Sequence, residues 1–191
     1  MNQFSRSNGE KAISPEAALE AAMRVITMAE EEGKRAAVAG GLAMQIFGFT
    51  RATKDVDIVA SEELELDPER RLEFGGHVYL VRVGDKDIEV DWIVRSDDKR
   101  TVYEAALLDA EMTEYGFPII TPEWMIILKY LAGRGKDHMD LMWLLQEPGL
   151  VNREKVIALV ESLMGPMAFW PKQDLESVFM EADFMKERDR G

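Results

Sequence analysis

The chain has 191 residues, of which 47% are hydrophobic and 31% charged, and a formal net charge of −13. This length and composition are typical of a folded protein of one domain, or of one domain with a helical appendage, rather than of a disordered chain. The acidic balance disfavours general binding to nucleic acid, which requires an excess of Lys and Arg, and it favours a cationic small substrate.

Cysteine content and hydropathy bear on the compartment. The chain has no cysteine, which excludes disulfides and thiolate metal sites and is compatible with a reducing cytosol. It has no apolar run of about 18 residues or more, and residues 1–14 lack the apolar segment of a secretory signal. We therefore expect a cytoplasmic protein without a membrane span.

The first half of the chain predicts one long helix and several short strands. Ser14 and Pro15 form a helix start, because a serine side chain can cap the first amides and proline suits the first helical position; Gly33 should end this helix. Alternating apolar residues on both sides of residues 84–87 predict an antiparallel hairpin. In chain order we predict a helix at 15–32, a strand at 36–40, a helix at 42–49, a strand at 55–60 and hairpin strands at 77–83 and 88–94.

The second half of the chain predicts mainly helices. Thr121 with Pro122 repeats the pattern of a cap followed by proline. Gly133 and Gly135 interrupt the helix that follows, and Asn152 opens another. In chain order we predict a helix at 101–111, a strand at 117–121, a helix beginning at 122, and further helices at 137–146, at 153–164 and from 174 onwards.

The order of these elements predicts the fold class. Strands are concentrated in the first two thirds of the chain and helices in the last third, so we predict an α+β fold. It should contain a small mixed β-sheet, flanking helices and a helical C-terminal subdomain. We assign the sheet core and the N-terminal helix to residues 1–121, and the helical subdomain to residues 122–191.

Two glycines and two aspartates within residues 36–60 form the most informative pattern of the sequence. Gly40 and Gly41 follow a short apolar run and allow the backbone to approach a ligand phosphate, although paired glycines also suit an ordinary tight turn. Asp55 and Asp57 alternate on a predicted strand, so their side chains project from one face about 7 Å apart and can converge on cations. Two aspartates on one strand face repel each other, which favours a bound cation over a solvated strand edge.

A second group of acidic residues lies on the last strand of the predicted hairpin. Asp87, Glu89 and Asp91 alternate on one face of this strand, with apolar residues on the other. Periodicity alone does not decide which of them lies beside the two aspartates of the earlier strand. A solvated sheet face is the simpler interpretation for Asp87, and Glu89 is the alternative to Asp91 as a third functional acid.

Basic residues occur at two further places. Arg51 lies in the loop before the first acidic strand, from which its side chain can reach a phosphate or a base. Lys129 and Lys136 are seven residues apart in a helical segment interrupted by glycines, so they can share a face. A surface ladder of salt bridges, such as Lys136 with Asp140, is the alternative interpretation of this segment.

These motifs together resemble the signature of the nucleotidyltransferase superfamily, which has a polymerase-beta-like palm. That signature is an apolar residue, GG or GS, a spacer and Asp-x-Asp. In this chain the matching residues are Val38, Gly40, Gly41, Asp55 and Asp57. The family has a third carboxylate on a later strand, and the resemblance assigns it to Asp91. The segment LKYLAGRGKDHMDLMWLL is similar to the Lys, Arg and KDxxD segment of the branch that includes AbiEii-type toxins. The family resemblance as a whole covers residues 36–145.

The resemblance implies a nucleotidyltransferase of that fold type which uses an NTP and Mg²⁺, or Mn²⁺ in its place. Asp55, Asp57 and Asp91 would be both the catalytic residues and the metal ligands. Asp91 would also take the proton of the acceptor hydroxyl. The nucleotide would be bound by a mixed set of glycines and charged residues: Gly40, Gly41, Arg51, Lys129, Lys136 and Asp137.

Three functions are compatible with this resemblance. The resemblance favours an AbiEii-like enzyme, which would act on tRNA as the toxin of a toxin-antitoxin pair, with an antitoxin protein as its partner. A small-molecule nucleotidyltransferase of the antibiotic-resistance type would modify a small hydroxyl compound, and the acidic balance favours this alternative. A catalytically silent nucleotide-binding or interaction module is the third, and the complete set of carboxylates counts against it.

Overall fold

The computed structural model describes residues 12–188. The expectation of a missing secretory signal therefore concerns residues that lie almost entirely outside the described range, as do the last three residues of the predicted C-terminal subdomain. Among the helices within the described range, none is long and apolar enough to cross a membrane.

A mixed β-sheet forms the centre of the fold. Its strands in chain order are β1 (Ala36–Val38), β2 (Val56–Ala60), β3 (Arg70–Arg71), β4 (His77–Val83), β5 (Lys86–Ile93), β6 (Glu111–Met112) and β7 (Pro118–Ile119). Within residues 12–188 they form one seven-stranded sheet in the spatial order β3-β4-β5-β2-β1-β7-β6. The hairpin of β4 and β5 is antiparallel, as predicted, whereas β2 runs parallel to β5. The two acidic strands are therefore neighbours.

Helices flank this sheet and form the last third of the chain. They are α1 (Pro15–Glu31), α2 (Gly40–Ile46), α3 (Arg100–Leu108), α4 (Pro122–Ala132), α5 (Gly135–Gln146), α6 (Arg153–Met164) and α7 (Phe169–Arg188), with a 3₁₀ turn at Gly165–Ala168. Helices α4 to α7 pack against one another and form the helical C-terminal part. The predicted α+β class, with its mixed sheet and helical C-terminal part, is confirmed.

Local signals correctly predicted the start of several elements. The Ser14 hydroxyl accepts a hydrogen bond from the Ala17 amide at 3.3 Å, and Asn152 Oδ1 accepts one from the Lys155 amide at 3.0 Å. These are the bonds that satisfy otherwise free amides at a helix N-terminus. Gly133 ends α4 with φ of +64°, a left-handed conformation that favours glycine.

Other expectations differ from the structure. Helix α2 begins at Gly40 rather than at residue 42, and α7 begins at Phe169 rather than at residue 174. The two-residue strands β3 and β6 have no sequence signal, because such short pairings depend on tertiary neighbours. The expectation that Lys129 and Lys136 share one helix face is wrong, since they lie on α4 and α5, which meet at the turn after Gly133.

The two faces of β2 and β5 differ in composition: one is apolar and buried, and the other carries the acids. In both strands one set of alternating residues is apolar and fully buried, including Ile58 and its register partner Trp92, and α1 packs across this side of the sheet. The other set includes Asp57 and Asp91. Burial of the first face fixes the register, and a slip of one residue would move every acid to the wrong side. The core therefore determines where the acids point.

Candidate active site

The sheet brings the predicted carboxylates together at one cavity. Asp57 on β2 and Asp91 on β5 are direct partners in the parallel register, so their Cα atoms lie on neighbouring strands, about 4.8 Å apart in a typical sheet. Asp55 precedes β2 by one residue. All three residues line a cavity of about 360 Å³ between the sheet, α2 and the start of the helical C-terminal part.

Gly40 and Gly41 are required because side chains near the acidic strand lie directly against them. Gly40 has φ of +55°, and a Cβ atom at this position would lie 1.7 Å from Asp57 Oδ2. The Gly41 amide donates a hydrogen bond to the same oxygen at 3.3 Å, and a Cβ atom on Gly41 would lie 2.4 Å from Thr53 Oγ1. Contacts this short do not occur in folded proteins, so both glycines allow the start of α2 to pack against the acidic strand.

Thr53 holds Asp55 in place. Its side chain is buried, and its hydroxyl lies 3.0 Å from the Asp55 carbonyl oxygen and 3.3 Å from Asp55 Oδ1, both of which can accept its hydrogen bond. A buried hydroxyl with these partners restricts the carboxylate to few orientations. The sequence indicated only that Thr53 belongs to a polar loop, and its contact with Asp55 is a feature of the folded structure.

The carboxylates of Asp57 and Asp91 have less positive charge near them than is needed to balance their own. Desolvation is the main cause that raises the pKa of Asp57, followed by the charge of Asp55; the Gly41 amide and the charges of Lys129 and Lys136 offset this only in part. Desolvation and the charges of Asp57 and Asp55 raise the pKa of Asp91 to about 6. Neighbouring carboxylates that all carry charge repel one another, and a cation between them relieves that repulsion.

One carboxylate oxygen of Asp91 lacks a hydrogen-bond donor. Its Oδ1 is buried and accepts no hydrogen bond from the described residues. The Arg70 guanidinium of the edge strand β3 approaches this oxygen only to 4.0 Å, through its Nη2. A buried carboxylate oxygen without a donor costs free energy unless a ligand supplies one.

These residues fit a divalent metal ion by their chemistry. Aspartate oxygens are the hard ligands that Mg²⁺ and Mn²⁺ prefer, and the orphaned Asp91 oxygen is a free ligand atom. As the side chains stand, residues 12–188 contain no group of three or more His, Cys, Asp or Glu arranged to hold a metal ion. Binding one ion through all three aspartates would therefore require at least one of these side chains to rotate.

Glu89 does not lie at the cavity. Its carboxylate is 45% exposed and accepts a hydrogen bond from Arg70 at 3.0 Å. Asp87 pairs with Arg82 on the surface of the β4–β5 hairpin. Of the three acids that alternate on β5, the structure brings only Asp91 to the cavity. This placement agrees with the choice of Asp91 over Glu89.

A buried ionic network lies on the opposite wall of the cavity. Lys129 on α4 is 6% exposed, and Asp137 and Asp140 on α5 are each 1% exposed. Lys129 Nζ donates to Asp140 Oδ2 at 2.5 Å and lies 3.6 Å from Asp137 Oδ1. Buried charges are tolerated when they are paired in this way, so the network fixes α5 against α4.

Two arginines complete this network. Arg51 approaches both oxygens of Asp140, with Nε 3.0 Å from Oδ1 and Nη2 3.1 Å from Oδ2. Arg134 Nε donates to Asp137 Oδ2 at 2.6 Å, and its Nη2 donates to Oδ1 at 3.2 Å. Three cations thus share two carboxylates, which leaves an excess of one positive charge at the cavity wall.

Lys136 differs from the other predicted basic residues. It is exposed at the cavity and forms no salt bridge with any residue in the range 12–188. The alternative interpretation that Lys136 pairs with Asp140 is therefore wrong, because Arg51 and Lys129 occupy that carboxylate. An exposed, unpaired ammonium group at a cavity mouth is available to a phosphate.

The cavity carries more positive charge than the sequence motifs suggested. It is lined by four aspartates and six basic residues, although the whole chain has a net charge of −13. The six basic residues are Arg51, Arg95, Lys99, Lys129, Arg134 and Lys136. The motif search missed Phe74, Arg95, Lys99 and Tyr103. Arg95 is four residues after Asp91 and continues the same alternation two residues beyond the end of β5, so this signal could have identified it.

Comparison with known proteins supports the fold only. No protein-family model and no curated protein sequence matches the chain. Among solved structures, the chain is similar to an antigenic nucleotidyltransferase-like protein from Paracoccidioides brasiliensis, with a TM-score of 0.51, 14% identity, and coverage of 89% of this chain and 95% of the other. It is also similar to the antibiotic-resistance factor ANT(2'')-Ia, with a TM-score of 0.43, 13% identity, and coverage of 92% and 100% respectively. The first likeness shows that the chain has the fold of a nucleotidyltransferase-like protein.

Proposed function

We propose that this protein is a nucleotidyltransferase that moves a nucleoside monophosphate from an NTP to an acceptor. The observation that carries the proposal is the pairing of Asp57 with Asp91 on parallel strands, beside Asp55, in one cavity. The same cavity is lined by Lys129, Arg134 and Lys136, which we call the basic wall. Transfer of a nucleotidyl group requires neutralisation of phosphate charge and a proton acceptor for the attacking hydroxyl. The cavity contains groups suited to both tasks.

The basic wall would hold the triphosphate. Lys136 offers an unpaired charge, and Arg134 offers a guanidinium whose side chain is 60% exposed although it pairs with Asp137. Lys129 is deeper and already paired, so it would contribute mainly through its field and by fixing the position of α5. Charge-assisted hydrogen bonds from such groups to phosphate oxygens are strong and directional.

The acidic wall would hold Mg²⁺, or Mn²⁺, through Asp55, Asp57 and Asp91. A divalent ion at such a site stabilises negative charge on the transferring phosphoryl group and on the leaving oxygen. In the reaction, the acceptor oxygen forms a bond to the α-phosphorus, the bond to the bridging oxygen breaks, and pyrophosphate leaves. Asp91 would accept the proton of the acceptor hydroxyl.

Two acceptors are consistent with this chemistry. Resemblance to AbiEii-type toxins favours tRNA, in which case an antitoxin protein would be a partner. The net charge of −13 and the cavity of about 360 Å³ favour a small hydroxyl compound that carries positive charge. The acidic surface repels a polynucleotide, so we prefer the small acceptor, with tRNA as the alternative.

A labelling experiment tests the proposal. The purified protein is incubated with each of the four NTPs labelled at the α-phosphate, with Mg²⁺ or Mn²⁺, against total tRNA, protein and a panel of aminoalcohol compounds. We expect label in one acceptor fraction, release of pyrophosphate, and loss of both in an Asp57→Ala variant. Asp87→Ala, which alters an exposed aspartate of the same sheet, is the matched control.

The same experiment distinguishes a silent module from an enzyme. If NTPs bind but no fraction takes the label, the protein is a nucleotide-binding module. If no NTP binds with either metal ion, the proposed function is wrong. Label in tRNA rather than in the aminoalcohols would support the toxin alternative.

A further inference from the structure

The cavity has two chemically different ends. One end is lined by charged residues and glycines, which are the groups discussed above for metal and phosphate. The other end is formed by Arg95, two residues beyond β5, with Phe74 and Tyr103, whose rings contact its guanidinium; Val59, Ile93, Met125 and Leu128 also line the cavity. The basic residues Arg95 and Lys99 also line the cavity. Nothing in the proposed transfer chemistry requires the aromatic end.

Arg95 is the centre of this aromatic end. Its guanidinium carbon lies 4.8 Å from the centroid of the Phe74 ring and 4.9 Å from the centroid of the Tyr103 ring. The Arg95 side chain is 8% exposed, and it pairs with Asp97 through Nε, at 2.9 Å, and through Nη2. The third guanidinium nitrogen, Nη1, forms no hydrogen bond with any residue in the range 12–188. Stacking and pairing together hold this group nearly rigid.

Phe74 is held in position by the turn that follows it. Gly75 and Gly76 have φ of +105° and +96°. A Cβ atom on Gly75 would lie 2.4 Å from the Val94 carbonyl oxygen, and one on Gly76 would lie 2.1 Å from the Trp92 carbonyl oxygen. The turn therefore packs directly against the backbone at the end of β5 and leaves no room for side chains.

The Phe74 ring still has surface available for a ligand. The residue is 36% exposed although it also contacts Arg95 and lines the cavity. A fixed, partly exposed aromatic ring next to a guanidinium is a surface on which a planar heteroaromatic group stacks well. The free Nη1 of Arg95 can donate to a carbonyl or ring nitrogen at the edge of such a group.

We propose that the aromatic end of the cavity binds the heteroaromatic base of the NTP, with Phe74 as the stacking surface and Arg95 as the edge donor. This inference rests on the proposed function, because it requires the triphosphate to occupy the charged end. An NTP joins a polyanion to a flat base, and the cavity lining contains charged residues for the first and an aromatic ring beside a guanidinium for the second. A cavity of about 360 Å³ lies within the range of small-molecule sites.

Measuring the Kd of NTPs and of inorganic tripolyphosphate, both with Mg²⁺, distinguishes binding at the aromatic end from binding at the charged end. Tripolyphosphate has the charge of the NTP tail but no base, so it reports on the charged end alone. We expect wild-type protein to bind its preferred NTP more tightly than tripolyphosphate. Phe74→Leu should raise the Kd for that NTP about tenfold, which is about 1.4 kcal/mol, because the base loses its stacking surface. The Kd for tripolyphosphate should not change.

Two further variants make this test specific. Phe74→Trp keeps an aromatic surface and should retain tight NTP binding. Phe184→Leu removes an aromatic ring that is 66% exposed on α7 and does not line the cavity, and it should change neither Kd. The circular dichroism spectra of all variants should match that of wild type.

Three outcomes would overturn an assignment. If Phe74→Leu leaves the NTP affinity unchanged, or weakens NTP and tripolyphosphate equally, the base does not stack on Phe74. If wild-type protein binds NTP no more tightly than tripolyphosphate, the aromatic end does not bind the base, although the charged end still binds phosphate. If neither compound binds with Mg²⁺, the proposed function itself fails.

Discussion

Two groups of aspartates lie at the same cavity, and their charges are balanced in opposite ways. Asp57 and Asp91 have neighbouring carboxylates and few donors, so desolvation and repulsion raise the pKa of each. Burial alone would raise the pKa of Asp137 too, but Arg134 and Lys129 outweigh it and lower that pKa. Asp140 is likewise bonded to Lys129 and Arg51.

This difference indicates different tasks for the two groups. The network of Asp137 and Asp140 is internally satisfied and stabilises the contact between α4 and α5. In the group of Asp55, Asp57 and Asp91, mutual repulsion contributes to the raised pKa of Asp57 and of Asp91, and one oxygen of Asp91 has no donor among residues 12–188. This group would be stabilised when a cation binds. The comparison predicts that substitutions in the first group affect folding and that substitutions in the second affect function.

The largest expected effect is on catalysis. Asp57→Ala should reduce nucleotidyl transfer to background, because it removes a metal ligand, and it should not lower the melting temperature of the metal-free protein, because it also removes repulsion. Transfer assays and thermal melts with and without Mg²⁺ and NTP test this. A variant that keeps the full rise in melting temperature on addition of both ligands would show that Asp57 does not bind the metal.

The next effect is on stability. Asp140→Ala leaves Lys129 and Arg51 without their shared buried carboxylate, and it should lower the free energy of unfolding by about 3–5 kcal/mol. Urea denaturation measures this. Asp183→Ala breaks the surface pair with Arg153 and is the matched control, with an expected loss of at most about 1 kcal/mol. Equal losses in both variants would mean that the buried network is not the structural element described here.

A third prediction concerns pH. The pKa of Asp91 rises from 3.8 to about 6 on folding, so the folded protein holds this proton over a pH range in which the unfolded chain has released it. The stability of the metal-free protein should therefore fall as pH rises between these values, by up to about 3 kcal/mol from this group. Asp91→Asn should remove that part of the fall. If the free energy of unfolding changes with pH in the same way for wild-type protein and for Asp91→Asn over this range, the assignment to Asp91 is wrong.

The smallest effect is expected for Lys136. Lys136→Met should raise the NTP concentration for half-maximal activity a few fold, and the difference should shrink with added salt, because an exposed charge is screened over about 8–10 Å. Lys172→Met, which alters a lysine on α7 paired with Glu161, is the control. If tRNA binding is lost instead, with unchanged NTP dependence, then Lys136 contacts nucleic acid and the toxin alternative gains support.

Much of the fold could be predicted because its signals are local. The cap at Ser14, the glycine at 133 and the alternation around residues 84–87 each depend on neighbouring residues in the chain. The strands β3 and β6 could not be predicted, because two residues carry no periodicity and their pairing depends on distant partners. For the same reason the parallel pairing of β2 with β5 was not predicted.

The candidate site divides in the same way. Asp55, Asp57 and the two glycines form a local motif, and the sequence alone selected them. Contacts between distant parts of the chain could not be predicted in this way: the bond between Arg51 and Asp140 joins residues 89 positions apart. The position of Phe74 depends on how the turn at residues 75–76 packs on β5, which no local pattern encodes.

The central claim is that Asp55, Asp57 and Asp91 form a cation site. Titration of Mn²⁺ into the metal-free protein, followed by electron paramagnetic resonance of the free ion, measures it directly, with Mg²⁺ as competitor. We predict that wild-type protein and Asp87→Ala remove Mn²⁺ from solution, that Mg²⁺ displaces it, and that Asp57→Asn does not bind it. A folded Asp57→Asn protein that binds Mn²⁺ as tightly as wild type would contradict the account.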